Sequence, residues 1–258
     1  MRDPTQRFSS RVEDYARYRP GYPGEVIGVL KSAGQLFSGD VVADIGSGTG
    51  RLAELFLEHG NPVIGVEPNR EMRLVGEERL ARFEGFRSVA GRAEATGLGD
   101  RSVDLCVAGQ AFHWFEPESA RLEFSRVLRP AGRVMLVWNN RRIHASPFMN
   151  GYEQLLRDYG TDYEQVNHQK LDEAVIHEFF GPRQCRTRRL SYRQVLDFEG
   201  LRGRLFSSSY TPEPGQPGHT ALADALRQLF QRHAEQGRVV LEYETKMYHG
   251  RFVSGSGA

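Results

Sequence analysis

The chain is poor in cysteine, lacks any long apolar run and carries no excess of charge of either sign. Its 258 residues include two cysteines, Cys106 and Cys185, which lie far apart and have no second set of metal ligands nearby. Neither a disulfide framework nor a structural zinc site is therefore indicated, and no metal is expected. Cysteine usage of this kind is typical of a reducing cytoplasm, which is where we expect the protein.

Apolar segments and net charge also exclude several classes of partner. No stretch approaches the roughly 18 apolar residues of a membrane span, and the opening M-R-D-P-T-Q-R-F has no apolar signal-peptide region. Lys and Arg number 34 against 33 acids, a net charge of +1. There is thus no global electrostatic case for nucleic acid or an anionic membrane, and the arginines at 184–190 are left unassigned. We expect a small-molecule partner; no oligomeric state is indicated.

Three glycines at alternate positions are the most informative feature that the chain does have. Residues 41 to 50 read V-V-A-D-I-G-S-G-T-G, an apolar strand that carries Asp44 near its end and runs into Gly46, Gly48 and Gly50. Glycine at this density before the helical pattern R-L-A-E-L-F-L-E-H predicts a tight turn whose backbone a ligand can approach. The carboxylate of Asp44 would repel a pyrophosphate but attract an ammonium or sulfonium group.

Apolar strands and helical patterns alternate from Val41 to Trp138, which predicts βαβ units on a mostly parallel sheet. Right-handed crossovers would bring the carboxyl ends of these strands to one edge, where ligands of open α/β sheets bind. We predict one domain over residues 1–258. It comprises an N-terminal cap and first helix at 1–40, a ligand-binding core at 41–140, and substrate-side helices, a lid loop and late strands at 141–258.

The alternation of strand and helix patterns ends in the second half of the chain. Helical patterns at 146–159 and 164–180 precede strand patterns at 188–195 and 238–248, and late strands of this kind often complete a sheet in antiparallel fashion. The prolines and glycines of S-S-S-Y-T-P-E-P-G-Q-P-G, residues 207–218, predict a loop and a candidate lid. The predicted fold class is α/β, a doubly wound, Rossmann-like, mostly parallel sheet with a late antiparallel strand and helical cap segments.

The glycine spacing distinguishes between nucleotide-like ligands. The turn reads G-x-G-x-G rather than the dinucleotide pattern G-x-G-x-x-G, and the Walker pattern is absent. Residues 44–50 resemble the first motif of the class I S-adenosylmethionine-dependent methyltransferases, here of the methyltransferase type 11 kind. The resemblance implies a seven-stranded sheet, the cofactor S-adenosyl-L-methionine with S-adenosyl-L-homocysteine as product, and cofactor contacts from Asp44, Gly46, Ser47, Gly48, Thr49 and Gly50.

An acidic residue follows about twenty positions past the glycine turn, where it can accept hydrogen bonds from both ribose hydroxyls. This residue is Glu67 in V-I-G-V-E-P, and the resemblance assigns it that role. The resemblance also places Pro68 and Met72 along the adenine, with the Met72 side chain packed on its face. Met72 as an ordinary core residue is an equally good interpretation.

The segment after the third strand, A-G-R-A-E-A-T-G-L-G-D, resembles the family's A-E-x-L-P stretch. By that resemblance Ala93 contributes backbone groups to the cofactor site, and Glu94 accepts from the adenine amino group. Gly97 and Gly99 replace the family's usual apolar and proline positions, so the resemblance does not extend to the shape of this loop.

The fourth strand leads into Q-A-F-H-W-F, which its position at the sheet edge places beside a methyl donor bound at the glycine turn. Aromatic rings here would contact a sulfonium by cation–π interaction and exclude water. We predict cofactor contacts from Gln110, Phe112 and Trp114, with Trp114 also facing the substrate. His113 is a candidate general base and substrate contact, or a side chain that only lines the pocket. Phe112 and Phe115 as core residues is the alternative.

The opening of the chain carries a narrower resemblance. Phe8, Tyr15 and the segment R-P-G-Y-P at 19–23 match a subset of these methyltransferases that includes relatives of trans-aconitate methyltransferase. In that subset the segment covers the cofactor pocket, so Tyr15 and Arg19 would meet the cofactor carboxylate, and Arg19 a substrate anion as well. The alternative is an anchor at a helix N-terminus. Tyr210, in the predicted lid, resembles the subset's C-terminal part and is a candidate substrate contact.

These motifs predict a methyltransferase acting on a small molecule, while two other functions are kept as alternatives. One is a partner or sensor protein that binds the cofactor without catalysis. The other is a nicotinamide oxidoreductase, against which the glycine spacing argues. An acceptor that must lose a proton would need a base, His113 first and Tyr210 second, whereas a carboxylate would need none. No motif identifies the acceptor.

Overall fold

The computed structural model describes residues 12–161, residue 163 and residues 173–252. Phe8 and residues 164–172 of a predicted helix lie outside these ranges. Within them, no helix is both long enough and apolar enough to cross a membrane.

Seven strands form one sheet in the order β3-β2-β1-β4-β5-β7-β6. The strands β1 to β5 are parallel, and β7 pairs antiparallel with both β5 and β6. This confirms the predicted Rossmann-like sheet with a late antiparallel strand. The strands are β1 (Val42–Ile45), β2 (Val63–Val66), β3 (Phe86–Val89), β4 (Val103–Gly109), β5 (Leu128–Arg141), β6 (Cys185–Leu196) and β7 (Val239–Gly250).

Several of the described helices begin at side-chain caps that the sequence supplies. Asn69 and Asp197 accept hydrogen bonds from backbone N–H groups of the first turns of α4 and α8, and Ser146 does the same for α6. The helices are α1 (Val12–Tyr18), α2 (Glu25–Ser32), α3 (Arg51–Glu58), α4 (Arg70–Leu80), α5 (Pro117–Val127), α6 (Pro147–Tyr159), α7 (Glu173–Phe180), α8 (Phe198–Phe206) and α9 (His219–His233).

The core consists of two apolar layers, one on each face of the sheet, because alternate strand residues point to opposite faces. Along β1, Ala43 and Ile45 pack into one layer and Val42 into the other. A third apolar cluster joins α6, α8 and α9 to β7. The helices α1, α8 and α9 were not predicted, since their apolar residues become informative only against tertiary neighbours: α9 packs on α6 and α8, and α1 packs on α4 and α8.

Residues 207–218 form no regular element, as their prolines and glycines predict. The first part of this loop is nonetheless buried, including Ser207, Tyr210 and Thr211. Local hydrogen bonds satisfy its polar groups: the Thr211 hydroxyl donates to the Ser208 carbonyl, 2.8 Å between the oxygens. This half of the loop is therefore part of the packed interior, and Tyr210 is held in it.

Candidate active site

The carboxyl ends of β1, β2, β4 and β5 meet at one edge of the sheet, and the strand order reverses between β1 and β4. A cavity of about 280 Å³ lies there. All of the predicted site residues line it except Gly50 and Phe112. Three further lining residues, Tyr22, Asn69 and Phe115, lie in segments that were expected at the site. The lining also includes side chains that were not predicted, namely Arg51, Leu52, Arg92, Asn139, Arg141, Arg204, Ser209 and Tyr243.

The three glycines of the turn after β1 have left-handed backbone conformations, with φ of 71°, 55° and 79° at Gly46, Gly48 and Gly50. A Cβ on Gly46 would lie 2.7 Å from the Cβ of Ala111, and one on Gly50 would lie 2.6 Å from Leu80. A Cβ on Gly48 would meet no atom within 4 Å. Gly48 is thus the point where backbone opens to the cavity. Gly50 precedes α3, packs against Leu80 and lies outside the lining, and its contact with a cofactor stays a prediction.

Asp44 is almost fully buried, 1 % exposed, at the floor of the cavity. Its Oδ2 accepts from the backbone N–H of Ala53, 3.0 Å from N. Among the described residues Oδ1 has no hydrogen-bond partner, and neither has the buried hydroxyl of Thr49. Burial raises the pKa of Asp44 to about 7, the bond from Ala53 lowers it in part, and nearby Glu67 raises it further. A buried carboxyl group with an unused oxygen suits a cationic ligand group.

Glu67 follows β2 and ties that strand to the glycine turn. Its two carboxylate oxygens accept from the backbone N–H groups of Gly48 and Asn69, at 2.8 and 2.9 Å. Burial raises the pKa of Glu67, and the two backbone bonds and Arg73 oppose that shift. The side chain therefore stands at the cavity wall in a fixed orientation, as a ribose-binding acid requires.

The segments expected along the adenine line the same cavity. Met72 is buried beneath Asn69, whose side-chain oxygen accepts from the Met72 N–H at 2.8 Å. Pro68 is exposed at the rim, and Ala93 is buried. Glu94 is half-buried, and its Oε1 accepts from the N–H of Glu116 at 2.8 Å. This bond orients the Glu94 carboxylate in the wall; its role toward adenine stays a prediction.

The segment after β4 turns back under strain into a single 3-10 turn, Phe112–Trp114. Gln110 has a φ of 56°, rare for a residue with a side chain. Its Nε2 donates to the carbonyl of Asn139 at 3.3 Å, while its buried Oε1 has no partner among the described residues. The strain aims the Gln110 side chain into the cavity, and Trp114, 38 % exposed, lies at the mouth.

Phe112 lies outside the cavity lining, in the core. Its ring makes edge contacts with Trp138 and Phe179, with centroids 6.4 and 4.7 Å apart. On this turn the apolar ring of Phe112 points into the core rather than toward the cavity, and its contact with a cofactor stays a prediction. Phe115, which we also considered for the core, packs there and reaches the lining too.

His113 lines the cavity, and burial lowers its pKa to about 4. The imidazole is therefore neutral at physiological pH. Such a group is a weak proton acceptor, since basicity falls with the pKa of the conjugate acid. The lowered pKa favours a hydrogen-bonding or lining side chain over a general base.

Residues of α1 and of the segment that follows it line the cavity. Arg51 donates to the carbonyls of Ala16 and Arg17 at the end of α1, and Arg79 also donates to Ala16. These bonds stabilise the last turn of α1, whose final carbonyls have no partner within the helix. Tyr15 and Arg19 thereby face inward, with the Arg19 guanidinium 4.8 Å from the centre of the Tyr15 ring.

Arg141 and Arg204 are the main site residues that sequence reasoning missed. Arg141 ends β5, and its Cα pairs with that of Tyr243 on β7; the rule that ligands meet strand carboxyl ends could have found it. Arg204 lies on α8, a helix that was not predicted, so no signal pointed to it. The described residues contain no group of three or more histidine, cysteine or acidic side chains placed to hold a metal ion.

Comparison with known proteins identifies the family of the chain. Residues 43–136 match the family model of the methyltransferase domain. An uncharacterized methyltransferase of Mycobacterium tuberculosis is 33 % identical over 247 residues, 95 % of each chain. The structure of a protein of Anaeromyxobacter dehalogenans, provisionally assigned as a type II methyltransferase, superposes with a TM-score of 0.69 at 21 % identity, over 91 % of this chain and 98 % of the other.

One further structure shares the fold with a bound ligand. Phosphoethanolamine N-methyltransferase 2 of Haemonchus contortus, in complex with phosphomonomethylethanolamine and S-adenosylhomocysteine, superposes with a TM-score of 0.53 at 17 % identity, over 97 % of this chain and 58 % of the other. On the strength of the relative that matches it along nearly its whole length, the chain belongs to the S-adenosylmethionine-dependent methyltransferase family and is an enzyme.

Proposed function

We propose that this enzyme transfers a methyl group from S-adenosylmethionine to a small-molecule acceptor within the cavity. The observation that carries the proposal is the meeting of Asp44, Glu67 and the open backbone at Gly48 with the strained Gln110 turn at one edge of the sheet. The solved Haemonchus enzyme, whose fold is similar, holds S-adenosylhomocysteine.

Each part of the methyl donor has a residue in the cavity that suits it. Asp44, through its unused Oδ1, would hold the ammonium end, and Glu67 the ribose hydroxyls. The absent Cβ of Gly48 lets the donor lie against backbone. The bound donor would supply an activated methyl group on a sulfonium; the protein's part is to align the acceptor and exclude water.

Exclusion of water rests on the cover over the cavity. The end of α1 lies over it, held by Arg51 and Arg79, and the buried part of the 207–218 loop contributes Tyr210. A cavity of this size and cover suits a small acceptor better than a macromolecular chain. We assign His113 a lining role, because a histidine with a pKa of about 4 is a poor base.

The narrower family resemblance, the roles of single residues and the cellular location belong to the same proposal. The narrower resemblance to relatives of trans-aconitate methyltransferase stays a prediction, and so do the roles of the individual site residues. A cytoplasmic location is proposed from the two cysteines, neither of which forms a disulfide.

Calorimetric titration with S-adenosylhomocysteine tests the donor site. The parent protein should bind it, and the variants Asp44→Ala and Glu67→Ala should bind at least about tenfold more weakly, since each loses a hydrogen bond to a charged group. Glu77→Gln, a change at a 41 % exposed side chain of α4, is the control and should bind like the parent. A folded parent that does not bind S-adenosylhomocysteine would contradict the proposal.

A further inference from the structure

Three arginines from distant parts of the chain converge on Tyr210 in the cavity. Arg19 follows α1, Arg141 ends β5 and Arg204 lies on α8, and all three line the cavity with Tyr210. Two of them are withdrawn from solvent, since Arg204 is 3 % exposed and the side chain of Arg141 is 7 % exposed; Arg19 is half-buried. Burying an arginine is costly unless an anion or enough hydrogen-bond acceptors compensate it.

Only part of this charge is neutralised by the described residues. Glu153, on α6, lies 3.4 Å from Arg141 and also accepts from the Tyr163 hydroxyl at 2.8 Å. The same carboxylate is shared with Arg157, 3.5 Å away on the solvent side. The carboxylate of Glu153 can therefore neutralise the charge of Arg141 at most.

Arg204 and Arg19 have neutral partners. Arg204 donates to the Tyr243 hydroxyl at 3.3 Å and to Ser208 Oγ at 3.2 Å, and Arg19 to the Ser207 carbonyl at 3.2 Å. In the part of the chain that the structure describes, neither arginine is within 4.0 Å of a carboxylate oxygen, and the buried Nε of Arg19 has no acceptor. Among the residues that the structure describes, two guanidinium groups thus have no counter-charge.

The pKa of Tyr210 reflects the positive potential of these arginines. Burial raises its pKa, but Arg141, Arg19 and Arg204 together lower it to about 7. One tyrosine, partly ionised at neutral pH, cannot balance two guanidinium groups. The acids of the donor site, Asp44 and Glu67, act on other groups at the glycine turn and do not pair with these arginines.

We propose that Arg204 and Arg141, assisted by Arg19, form a subsite for an anionic group of the acceptor, a carboxylate or a phosphate. Guanidinium forks match the oxygen pairs of either group, and the anion would supply the missing counter-charge. This subsite would give the proposed function a substrate class. It rests on that function in one respect, namely that the bound anion is part of the methyl acceptor. Orientation of the acceptor toward the donor follows, because the subsite and the donor residues line the same cavity.

Titration calorimetry with simple probes tests this subsite on the protein with and without saturating S-adenosylhomocysteine. The probes are succinate, inorganic phosphate and the neutral succinamide, at constant ionic strength. We expect at least one anion to bind and succinamide not to bind. Succinate alone would assign a carboxylate, phosphate alone a phosphate, and both a site selective for charge. No binding of either anion, or equal binding of succinamide, would overturn the proposal.

Paired variants localise the binding. Arg204→Gln should weaken the anion roughly tenfold to a hundredfold, whereas Arg202→Gln, on the same helix but 50 % exposed, should change it less than about twofold. Arg141→Gln is combined with Glu153→Gln, so that no buried carboxylate is left unpaired, and compared with Arg142→Gln, 52 % exposed. Anion affinity unchanged in both Arg204→Gln and the double variant would show an adventitious ion only and overturn the assignment.

Folding and donor binding are separate readouts. Arg204→Gln should unfold at the same temperature as the parent or higher, because it removes an uncompensated buried charge. If it fails to fold, Arg204→Lys, which keeps the charge but loses the fork, should weaken the anion by a smaller factor, and parent-like affinity would contradict the proposal. Absence of S-adenosylhomocysteine binding would defeat the proposed function alone, since the anion titrations on the protein without it still decide the subsite.

Discussion

The backbone N–H of Gly48 donates to Oε2 of Glu67, with 2.8 Å between nitrogen and oxygen. The bond joins the turn after β1 to the end of β2, two segments that both line the cavity. Because Oε1 accepts from Asn69, the carboxylate is held at both oxygens before any ligand binds. A ligand that meets Glu67 therefore meets an acceptor already in position.

The first prediction concerns the charge on Glu67. Glu67→Gln should weaken S-adenosylhomocysteine binding about tenfold to a hundredfold, because an amide keeps one acceptor oxygen where the carboxylate has two and lacks the charge that strengthens the bonds. Calorimetry at pH 8 measures the loss. Glu77→Gln, at an exposed position on α4, is the matched control. Equal affinity in Glu67→Gln and parent would remove Glu67 from the ribose site.

The second prediction is a pH dependence set by Asp44. Its pKa of about 7 means that half of the carboxyl groups are protonated near neutral pH in the ligand-free protein. A cationic ammonium prefers the carboxylate, so S-adenosylhomocysteine should bind up to about tenfold more tightly for each pH unit from 5.5 to 7, with release of a proton. Asp44→Asn should bind weakly with a flatter profile. An unchanged profile in Asp44→Asn would assign the titration to another group.

The raised pKa of Asp44 also makes the stability of the folded protein depend on pH. Its folded pKa is raised above the ordinary value of 3.8, so between about pH 4 and 7 the folded protein binds more protons than the unfolded chain. This carboxyl group therefore stabilises the ligand-free protein below about pH 4, and that contribution is lost as the pH rises to 7. Thermal unfolding of the parent and Asp44→Asn across this range measures it.

The third prediction separates backbone strain from steric overlap at Gly46. Alanine in a left-handed conformation costs about 1–2 kcal/mol, and the 2.7 Å approach of its Cβ to Ala111 adds about 1–3 kcal/mol of overpacking. Gly39→Ala has a similar φ, 80°, but meets no atom within 4 Å. Denaturant unfolding should therefore place Gly46→Ala below Gly39→Ala in stability. Equal losses in the two variants would contradict the steric argument.

The fourth prediction is an ionisation of Tyr210 near neutral pH. Absorbance at 295 nm should show one tyrosine titrating at about pH 7, absent in Tyr210→Phe and moved to higher pH in Arg204→Gln. Arg202→Gln, an exposed change on the same helix, should leave it in place. A parent without a tyrosine titrating below pH 9 would contradict the clustered positive charge.

Stability should follow the same ionisation. The folded pKa of Tyr210 is below the ordinary 10, so between about pH 7 and 10 the unfolded chain binds more protons. Tyr210 therefore adds stability as the pH rises through this window, and the contribution is lost as the pH falls through about 7. Tyr210→Phe should show a correspondingly flatter stability profile in denaturant unfolding.

Much of the cofactor side could be predicted from short stretches of chain. The apolar strand that ends in Asp44, the alternate glycines and the acid at Glu67 are local patterns, and the strand-end rule places them at one edge. The structure differs from the sequence-based expectations where the direction of a side chain matters. Phe112 and His113 are adjacent in sequence, yet the turn sends the first into the core and the second to the cavity.

The local chemistry of the chain is sufficient for the glycine turn, since left-handed conformations and close backbone approach require glycine wherever they occur. The arginine subsite is different. Arg19, Arg141 and Arg204 are far apart in sequence and meet only after α1 packs on α8 and β7 pairs with β5. Their proximity is a balance between apolar burial across those elements and repulsion among the guanidinium groups, and no pattern within a short segment encodes that balance. The residues proposed for the donor site can therefore be found from the sequence, while those proposed for the acceptor are brought together only by tertiary packing.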